Sequence, residues 1–400
     1  MMPLRPYSRN IGPLKNAIEA STLRGSRAMH VPLIHHASLQ VPYSSQTLAR
    51  ESPANLKTTY RQSPSRISVG IVASLRRQQN RPFTAKNSLI GSQSHDVYTI
   101  QSPRSGEPTV HAIFEKDTGT WQYVVADPDT SNAVIIDTVL DYDRTTQVIT
   151  TKTADELLSF VQNSGYKVAM ILETHVHADH ITAASYLQNR LAQVQDHKPP
   201  IGIGARIEQI QKLFSERYGV AKEECTGVFG KLFKDDEIFN IGELKAQAIH
   251  LPGHTPDHLG YKIGDNVFCG DSIFHVDIGT ARCDFPGGSA HDLYRSGRKL
   301  LSLPDQVKIW TGHDYPPETR GDPVPFMSVQ DHRSQNKHLM DGITADAFVT
   351  LRKERDANLA EPRLLHQSLQ MNIRAGRLPL PTQSGQRMLH LPLKLQGIEW

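Results

Sequence analysis

Short runs of apolar residues recur along the part of the chain that follows residue 96. Runs of four to eight such residues, bounded by turn residues, are typical of strands. Asp- and Gly-containing turns at 117–120 and 127–130 separate the first runs. The pattern predicts strands at residues 110–114, 121–126, 133–138, 167–173, 243–250, 258–263, 266–269 and 307–310.

Helical periodicity appears between these strands. Thr153 and Glu156 have the spacing of a capping box, and Leu157, Leu158 and Val161 follow on one helical face. Apolar periodicity predicts further helices at residues 181–194, 205–218 and 290–303, and a polar, helix-prone segment at 328–357. Strands that alternate with helices, without an internal repeat of fixed period, predict an α/β fold.

The charge distribution divides the chain of 400 residues in two. Residues 1–95 contain 13 Lys and Arg against only two acids, a net charge of +11, whereas the remainder has a net charge of −8. An Arg- and Ser-rich segment that is almost free of acids is typical of a transit peptide, here most simply one for the mitochondrial matrix. A disordered basic tail and a mis-predicted gene start are the alternatives.

Composition sets the remaining limits. With 38% hydrophobic residues, the chain can form a core, which we expect at residues 96–377, followed by a tail at 378–400. The basic residues of the first segment are scattered among few aromatics, so we expect no nucleic-acid binding. No apolar stretch approaches the length of a membrane span, so we expect no membrane association. Cys225, Cys269 and Cys283 form no CxxC pair, which argues against a zinc ribbon or a disulfide scaffold.

Candidate metal ligands follow four of the predicted strands. The segment Thr174-His-Val-His-Ala-Asp-His180 contains three imidazoles and a carboxylate within six residues. His254, Asp271 and His313 each follow a later strand, and all seven side chains are ligands for divalent metals. Imidazoles and carboxylates without a thiolate suit zinc, iron or manganese, and a set of two histidines and one carboxylate suits non-haem Fe(II). The ordered series predicts a metal site at one edge of the fold.

This series resembles that of the metallo-β-lactamase superfamily, over about residues 110–320. Three segments make the chain most similar to the persulfide dioxygenases within it: 279–288 (GTARCDFPGG), His313-Asp-Tyr315 and 370–376 (QMNIRAG). Ala281 stands where that family usually has glycine. The resemblance implies an αββα sandwich, in which two mixed β-sheets pack face to face with helices on the outer faces.

The resemblance also implies a site and a reaction. One Fe(II) per chain would be held by His175, His254 and Asp271, and glutathione persulfide would react there with O2 and water to give sulfite and glutathione. The resemblance further implies that four residues either support the iron ligands by hydrogen bonds or form a second metal site: His177, Asp179, His180 and His313. Arg282 is expected to clamp a substrate carboxylate, because guanidinium binds carboxylates in a bidentate manner, although an ion pair with Asp284 would also explain it. Tyr315 is expected to hydrogen-bond substrate or oxygen, or to serve packing, and Cys283 is expected to be a spectator.

Two other functions stay open at this point. A glyoxalase-II-like hydrolase of hydroxyacylglutathione thioesters, close to the dioxygenases in the superfamily, would use the same ligands around a dinuclear Zn or Fe site. Its usual loop differs from the segment 279–288, and no counterpart of its basic C-terminal domain is evident. An inactive interaction module would not need seven metal-type residues. The sequence does not define the oligomeric state, for which a homodimer is an alternative to the monomer.

Overall fold

The computed structural model describes residues 97–102 and 104–397. The segment for which targeting is predicted, residues 1–95, lies outside these residues. Among the helices described, none is long and apolar enough to cross a membrane.

Sixteen strands in the described residues form three β-sheets. The strands are β1 (Val97–Ile100), β2 (Thr109–Glu115), β3 (Thr120–Ala126), β4 (Asn132–Ile136), β5 (Val139–Asp143), β6 (Val148–Thr150), β7 (Lys167–Leu172), β8 (Ile181–Thr182), β9 (Ile201–Gly204), β10 (Lys231–Phe233), β11 (Ile238–Ile241), β12 (Leu244–His250), β13 (Leu259–Ile263), β14 (Asn266–Phe268), β15 (Lys308–Trp310) and β16 (Phe326–Ser328).

Two of the sheets are large and mixed. The first has the strand order β1-β2-β3-β4-β7-β9-β10 and is parallel from β4 onward. The second runs β11-β12-β13-β14-β15-β16, with one parallel pair between β14 and β15. A small sheet of β6, β5 and β8 lies beside them. Parallel neighbours require crossover connections, and helices supply these connections between β4, β7 and β9.

Eight helices are described: α1 (Lys152–Asn163), α2 (Ala184–Val194), α3 (Ile207–Tyr218), α4 (Lys222–Cys225), α5 (Ala290–Leu301), α6 (Val329–Gln335), α7 (Ala345–Asp356) and α8 (Leu365–Asn372). Residues of α1, α2, α3 and α8 pack in one core with the outer face of the first sheet. Residues of α5 and α7 share another core with the second sheet.

Strand periodicity explains the layers. Successive side chains of a strand point to opposite faces. On β3, Tyr123 and Val125 belong to the core between the two sheets, whereas Val124 belongs to the core beneath the helices. Tyr261 and Trp310 of the second sheet meet the first group from the other side. The structure is therefore the αββα sandwich that the resemblance implies.

Several predicted boundaries are wrong for local reasons. The helix expected at 181–194 begins at Ala184, because Ile181–Thr182 pairs with β5 as a strand. Thr153 does not cap α1, which begins at Lys152. Instead, the hydroxyl and the N–H of Thr153 donate to the Asp141 carboxylate at 2.6 and 3.0 Å. The segment 328–357, predicted as helix-prone, contains the two helices α6 and α7.

The segment after α8 forms no helix or strand as far as it is described, to residue 397. The N–H of His390 donates to Oε1 of Gln370 at 2.8 Å, and Leu389 packs against the core beneath α8. These contacts fasten the middle of the segment to the body of the fold.

Candidate metal centre

The loop between β7 and β8 carries four of the predicted ligands. His175, His177 and His180 are buried, and Asp179 retains part of its surface. The carboxylate of Asp137, which directly follows β4, accepts hydrogen bonds from the N–H and hydroxyl of Thr174 at 2.8 and 2.9 Å. This contact fixes the start of the loop against the neighbouring strand.

The other three ligands come from loops of the second sheet. His254 follows β12 in a turn where Gly253 has a φ of 144°, and a Cβ at Gly253 would lie 2.3 Å from the backbone nitrogen of Leu293. Only glycine fits that position. Asp271 and His313 follow β14 and β15, and the N–H of Gly312 donates to the carbonyl of Gly270 at 2.9 Å. Parallel pairing of these two strands thus brings Asp271 and His313 together.

His175, His254 and Asp271 form one compact donor set. Each offers a ligand atom, and the three atoms lie within 4.8 Å of one another. Nε2 of His254 lies 3.6 Å from Oδ2 of Asp271. All three side chains are buried, with exposed fractions of 1, 7 and 6%. The structure therefore brings together the three residues expected to hold iron.

A second region of ligand atoms adjoins the first. His177, Asp179 and His180 form one set within 4.8 Å, and Asp179, Asp271 and His313 form another. Nε2 of His313 lies 3.2 Å from Oδ2 of Asp179 and 3.5 Å from Oδ1 of Asp271. Asp271 is thus shared between the two regions, as a residue that bridges two metal ions would be.

The donor atoms meet the test for a metal site. Nε2 of His175, Nδ1 of His177, Nε2 of His180 and Oδ1 of Asp271 are buried without a hydrogen-bond partner. Buried polar atoms almost always have partners. The opposite ring nitrogens are held: Nδ1 of His175 by the Thr174 hydroxyl at 3.0 Å, and Nδ1 of His254 by the carbonyl of Arg282 at 2.8 Å. Metal-binding histidines are held in this way, so the residues present fit a metal.

Two buried carboxylates surround the far side of His177. Its Nε2 lies 3.2 Å from both Asp137 Oδ1 and Glu173 Oε2. Burial alone would lower the pKa of His177, but the two carboxylates raise that pKa well above its usual value. Burial raises the pKa of Glu173. The carboxylates hold the proton on Nε2, so Nδ1 is the atom of His177 that remains for a metal.

Comparison with known proteins identifies the family. The model of the metallo-beta-lactamase superfamily matches residues 116–313. Glyoxylase B2 of Dictyostelium discoideum is 41% identical over 72% of this chain and 98% of its own length. The chain belongs to the metallo-beta-lactamase superfamily.

More distant superfamily members include a mitochondrial persulfide dioxygenase, ETHE1, of Bos taurus. It is 26% identical over 69% of this chain and 92% of its own length. The crystal structure of ETHE1 from Myxococcus xanthus has a TM-score of 0.53 at 25% identity and covers 67% of this chain and 99% of that one. The structural match confirms the expected fold.

The superfamily ligands face a cleft of about 380 Å³. His254, Asp271, Asp179 and His313 line its floor, and the segment around residues 278–282 lines one wall. Residues of α7 and of the loop that follows it, including Arg355 and Arg363, line another. Sequence reasoning did not anticipate that this C-terminal segment borders the site.

The residues expected to bind substrate differ in their freedom to do so. The guanidinium of Arg282 donates to both oxygens of Asp284 and to the carbonyl of Ala360 at 2.7 Å. The alternative expectation, a loop ion pair, therefore describes Arg282 in this structure. Tyr315 stacks on His313, with 5.8 Å between ring centroids, and is about half exposed at the cleft. Cys283 is buried, and burial raises the pKa of its thiol to about 12, which fits a spectator.

Three further residues of the centre were not predicted. Asp137 and Glu173 hold His177, and His258 stacks on His175 with 4.7 Å between ring centroids. Nε2 of His258 also accepts the N–H of Asp271 at 2.9 Å. Asp137 follows a strand as the predicted ligands do, and that position is a signal that could have identified it. His258 lies within the range predicted as a strand, so nothing distinguished it from a core residue.

Proposed function

We propose that this chain is a persulfide dioxygenase that oxidises glutathione persulfide with O2 at a mononuclear non-haem Fe(II). The observation that carries the proposal is the compact set of His175, His254 and Asp271, since two histidines and one carboxylate with open positions suit Fe(II) and oxygen chemistry. When bound, Fe(II) would supply the redox chemistry that joins O2 to the terminal sulfur.

The chain's own residues position the reactants in this proposal. The rings of His175 and His254 are oriented by hydrogen bonds that their Nδ1–H groups donate to the Thr174 hydroxyl and to the carbonyl of Arg282. Tyr315 at the rim of the cleft has a hydroxyl that donates to the Thr118 carbonyl at 3.4 Å, a weak contact that substrate can replace.

Arg355 and Arg363 are suited to the carboxylates of glutathione. Both line the cleft, and within the described part of the chain neither forms an ion pair. A guanidinium binds a carboxylate through two parallel hydrogen bonds. Arg282, whose guanidinium is occupied by Asp284, has a smaller part in this proposal than the sequence indicated.

A second candidate is a glyoxalase-II-like thioester hydrolase. Similarity favours it over the dioxygenase, because Glyoxylase B2 is 41% identical to this chain and the bovine persulfide dioxygenase only 26%. The free Nδ1 of His177 and Nε2 of His180 would also suit a second ion. Two ions would together supply an activated water and polarise the thioester carbonyl.

One experiment separates the two candidates. The full chain, loaded with Fe(II) and separately with Zn(II), is given glutathione persulfide and then S-lactoylglutathione. Oxygen uptake matched by sulfite, with iron only, supports the dioxygenase. Thioester cleavage without oxygen uptake overturns it in favour of the hydrolase. Metal content measured on the same samples gives the number of ions per chain.

We further propose that residues 1–95 direct the chain to mitochondria, on the basis of their charge alone. A fusion of these residues to a fluorescent reporter tests the proposal in a eukaryotic cell. Mitochondrial fluorescence that disappears when the 13 basic residues are replaced by Gln supports it. Diffuse fluorescence of the original fusion overturns it.

A further inference from the structure

The last helix, α8, ends against the loop that carries the metal ligands. Its final residue, Asn372, is 2% exposed and uses all of its amide. Nδ2 donates to the carbonyls of His177 and His180, both at 2.8 Å. Oδ1 accepts the N–H of Thr182 at 2.9 Å. One side chain therefore joins two carbonyls of the β7–β8 loop to one N–H of β8.

The three contacts constrain the two ligand residues directly. Because the peptide unit is planar, a carbonyl that accepts a hydrogen bond from a buried side chain restricts rotation of its peptide plane, and so limits the directions that the adjoining Cα–Cβ bond can take. His177 and His180 point toward the second ligand region through Nδ1 and Nε2. The hydrogen bonds of Asn372 therefore set the positions from which both rings reach that region.

The backbone beyond Asn372 keeps the helix close to the loop. Gly376 has a φ of 76°, and a Cβ there would lie 2.5 Å from the carbonyl oxygen of Thr182. The carbonyl of Ala375 accepts the N–H of Ser185 at 3.1 Å. Leu369 and Met371 of α8 are buried in the core that α2 and α3 share. The contact is thus an anchored interface and not a chance approach of a surface residue.

We propose that Asn372 is a positioning residue for the metal centre, which sets the geometry of His177 and His180 from about 190 residues away in sequence. The inference rests on metal binding, which both candidate functions need, and not on which reaction takes place. Partners in the outer shell of a metal site commonly change its affinity by roughly 10–100-fold when they are removed.

The chain offers a matched control. Asn266 is also buried, at 3% exposure, and it also makes three hydrogen bonds, to Glu107, the carbonyl of Ile263 and Nε1 of Trp310. None of these partners belongs to the ligand loop. Replacing Asn266 removes as many contacts as replacing Asn372 but leaves the ligand residues in place.

The experiment compares Asn372→Ala, Asn372→Asp and Asn266→Ala with the unmodified full chain. Asp has the size of Asn but places an oxygen against the carbonyls of His177 and His180, so a loss in the Asp variant comes from the two donated bonds and not from volume. Co(II) is titrated in competition with a chelator, the visible spectrum of the cobalt form is recorded, and the metal-free unfolding midpoint is measured.

We expect both Asn372 variants to bind Co(II) at least about 10-fold more weakly and to change the cobalt spectrum. Asn266→Ala should lower the unfolding midpoint without changing either property. Wild-type affinity and spectrum in a folded Asn372→Asp protein would overturn the inference, whether or not Asn372→Ala folds. Failure of the unmodified chain to bind Co(II) would overturn the metal site itself, and is distinguishable from the first outcome.

Discussion

The buried histidines of the metal centre and the buried His111 of β2 differ in what their ring nitrogens contact. At the metal centre, His175, His177 and His180 each have one ring nitrogen that lacks a partner. On β2, His111 is also buried, but Nδ1 lies 2.9 Å from the Thr99 hydroxyl and Nε2 2.7 Å from the Tyr166 hydroxyl. A histidine whose two nitrogens both have partners needs no ligand. Burial alone therefore does not mark a metal ligand: both nitrogens of His111 have hydroxyl partners, whereas His175, His177 and His180 each keep one nitrogen for a metal.

Removal of the carboxylate that the two ligand regions share should have the largest effect. Asp271→Ala should abolish bound metal and lower kcat/KM by at least about 1,000-fold, since metal chemistry supplies several kcal/mol of transition-state stabilisation. Metal analysis and turnover of whichever substrate proves active are the measurements. Asp305→Ala, at an exposed ion pair with Arg333, is the control. An Asp271→Ala protein that retains metal would remove Asp271 from the site.

Metal should stabilise the folded chain through the metal centre and not through His111. A ligand at 1,000 times its dissociation constant stabilises the folded state by about 4 kcal/mol. Excess Zn(II) should therefore raise the unfolding midpoint of the chain, and of His111→Phe by the same amount, and a chelator should reverse both shifts. Thermal unfolding followed by circular dichroism is suitable. An equal shift in Asp271→Ala would mean that the ion binds elsewhere.

His111 should make the stability of the folded protein fall at acidic pH. Burial lowers the pKa of His111 to about 4 from 6.5, so the unfolded chain binds a proton that the folded chain resists. This contribution to stability is complete above pH 6.5 and is lost as the pH falls toward 4, by up to about 3 kcal/mol. In metal-free protein, His111→Phe should lose less stability than the unmodified chain between pH 7 and 4.5, as measured by urea unfolding. The exposed His291, changed to Phe, should leave the slope unaltered.

Replacement of the arginines of the cleft should have a smaller effect, on KM. Arg355→Ala and Arg363→Ala should each raise KM for a glutathione substrate by about 10-fold with little change in kcat, because a charged hydrogen bond contributes about 1.5 kcal/mol. Arg333→Ala, which breaks two exposed ion pairs outside the cleft, should leave KM unchanged. Arg282→Ala should raise KM less than either cleft variant. Steady-state kinetics test these expectations, and a larger effect at Arg282 would show that substrate displaces Asp284.

The sequence predicts well which side chains gather at the candidate metal centre, because each follows a strand and the ends of neighbouring strands lie close together. The sequence predicts poorly which residues form hydrogen bonds with these side chains. Asp284 lies two residues from Arg282 and was foreseen, whereas Asp137 reaches His177 across 40 residues and Asn372 reaches it across 195. Likewise, Thr153 carries a local capping signal that Asp141 overrides through tertiary contact. Spacing along a chain does not reveal contacts of this kind.

The position of Asn372 in the chain also affects when the centre forms. A ribosome adds roughly 5–20 residues per second, so a separation of 195 residues corresponds to about 10–40 s of synthesis. During that time, the carbonyls of His177 and His180 lack the hydrogen bonds from Asn372, because Asn372 has not yet been synthesised. The β7–β8 loop can reach its final geometry only after α8 has emerged and docked. We therefore expect tight metal loading to be one of the last events in the maturation of the protein.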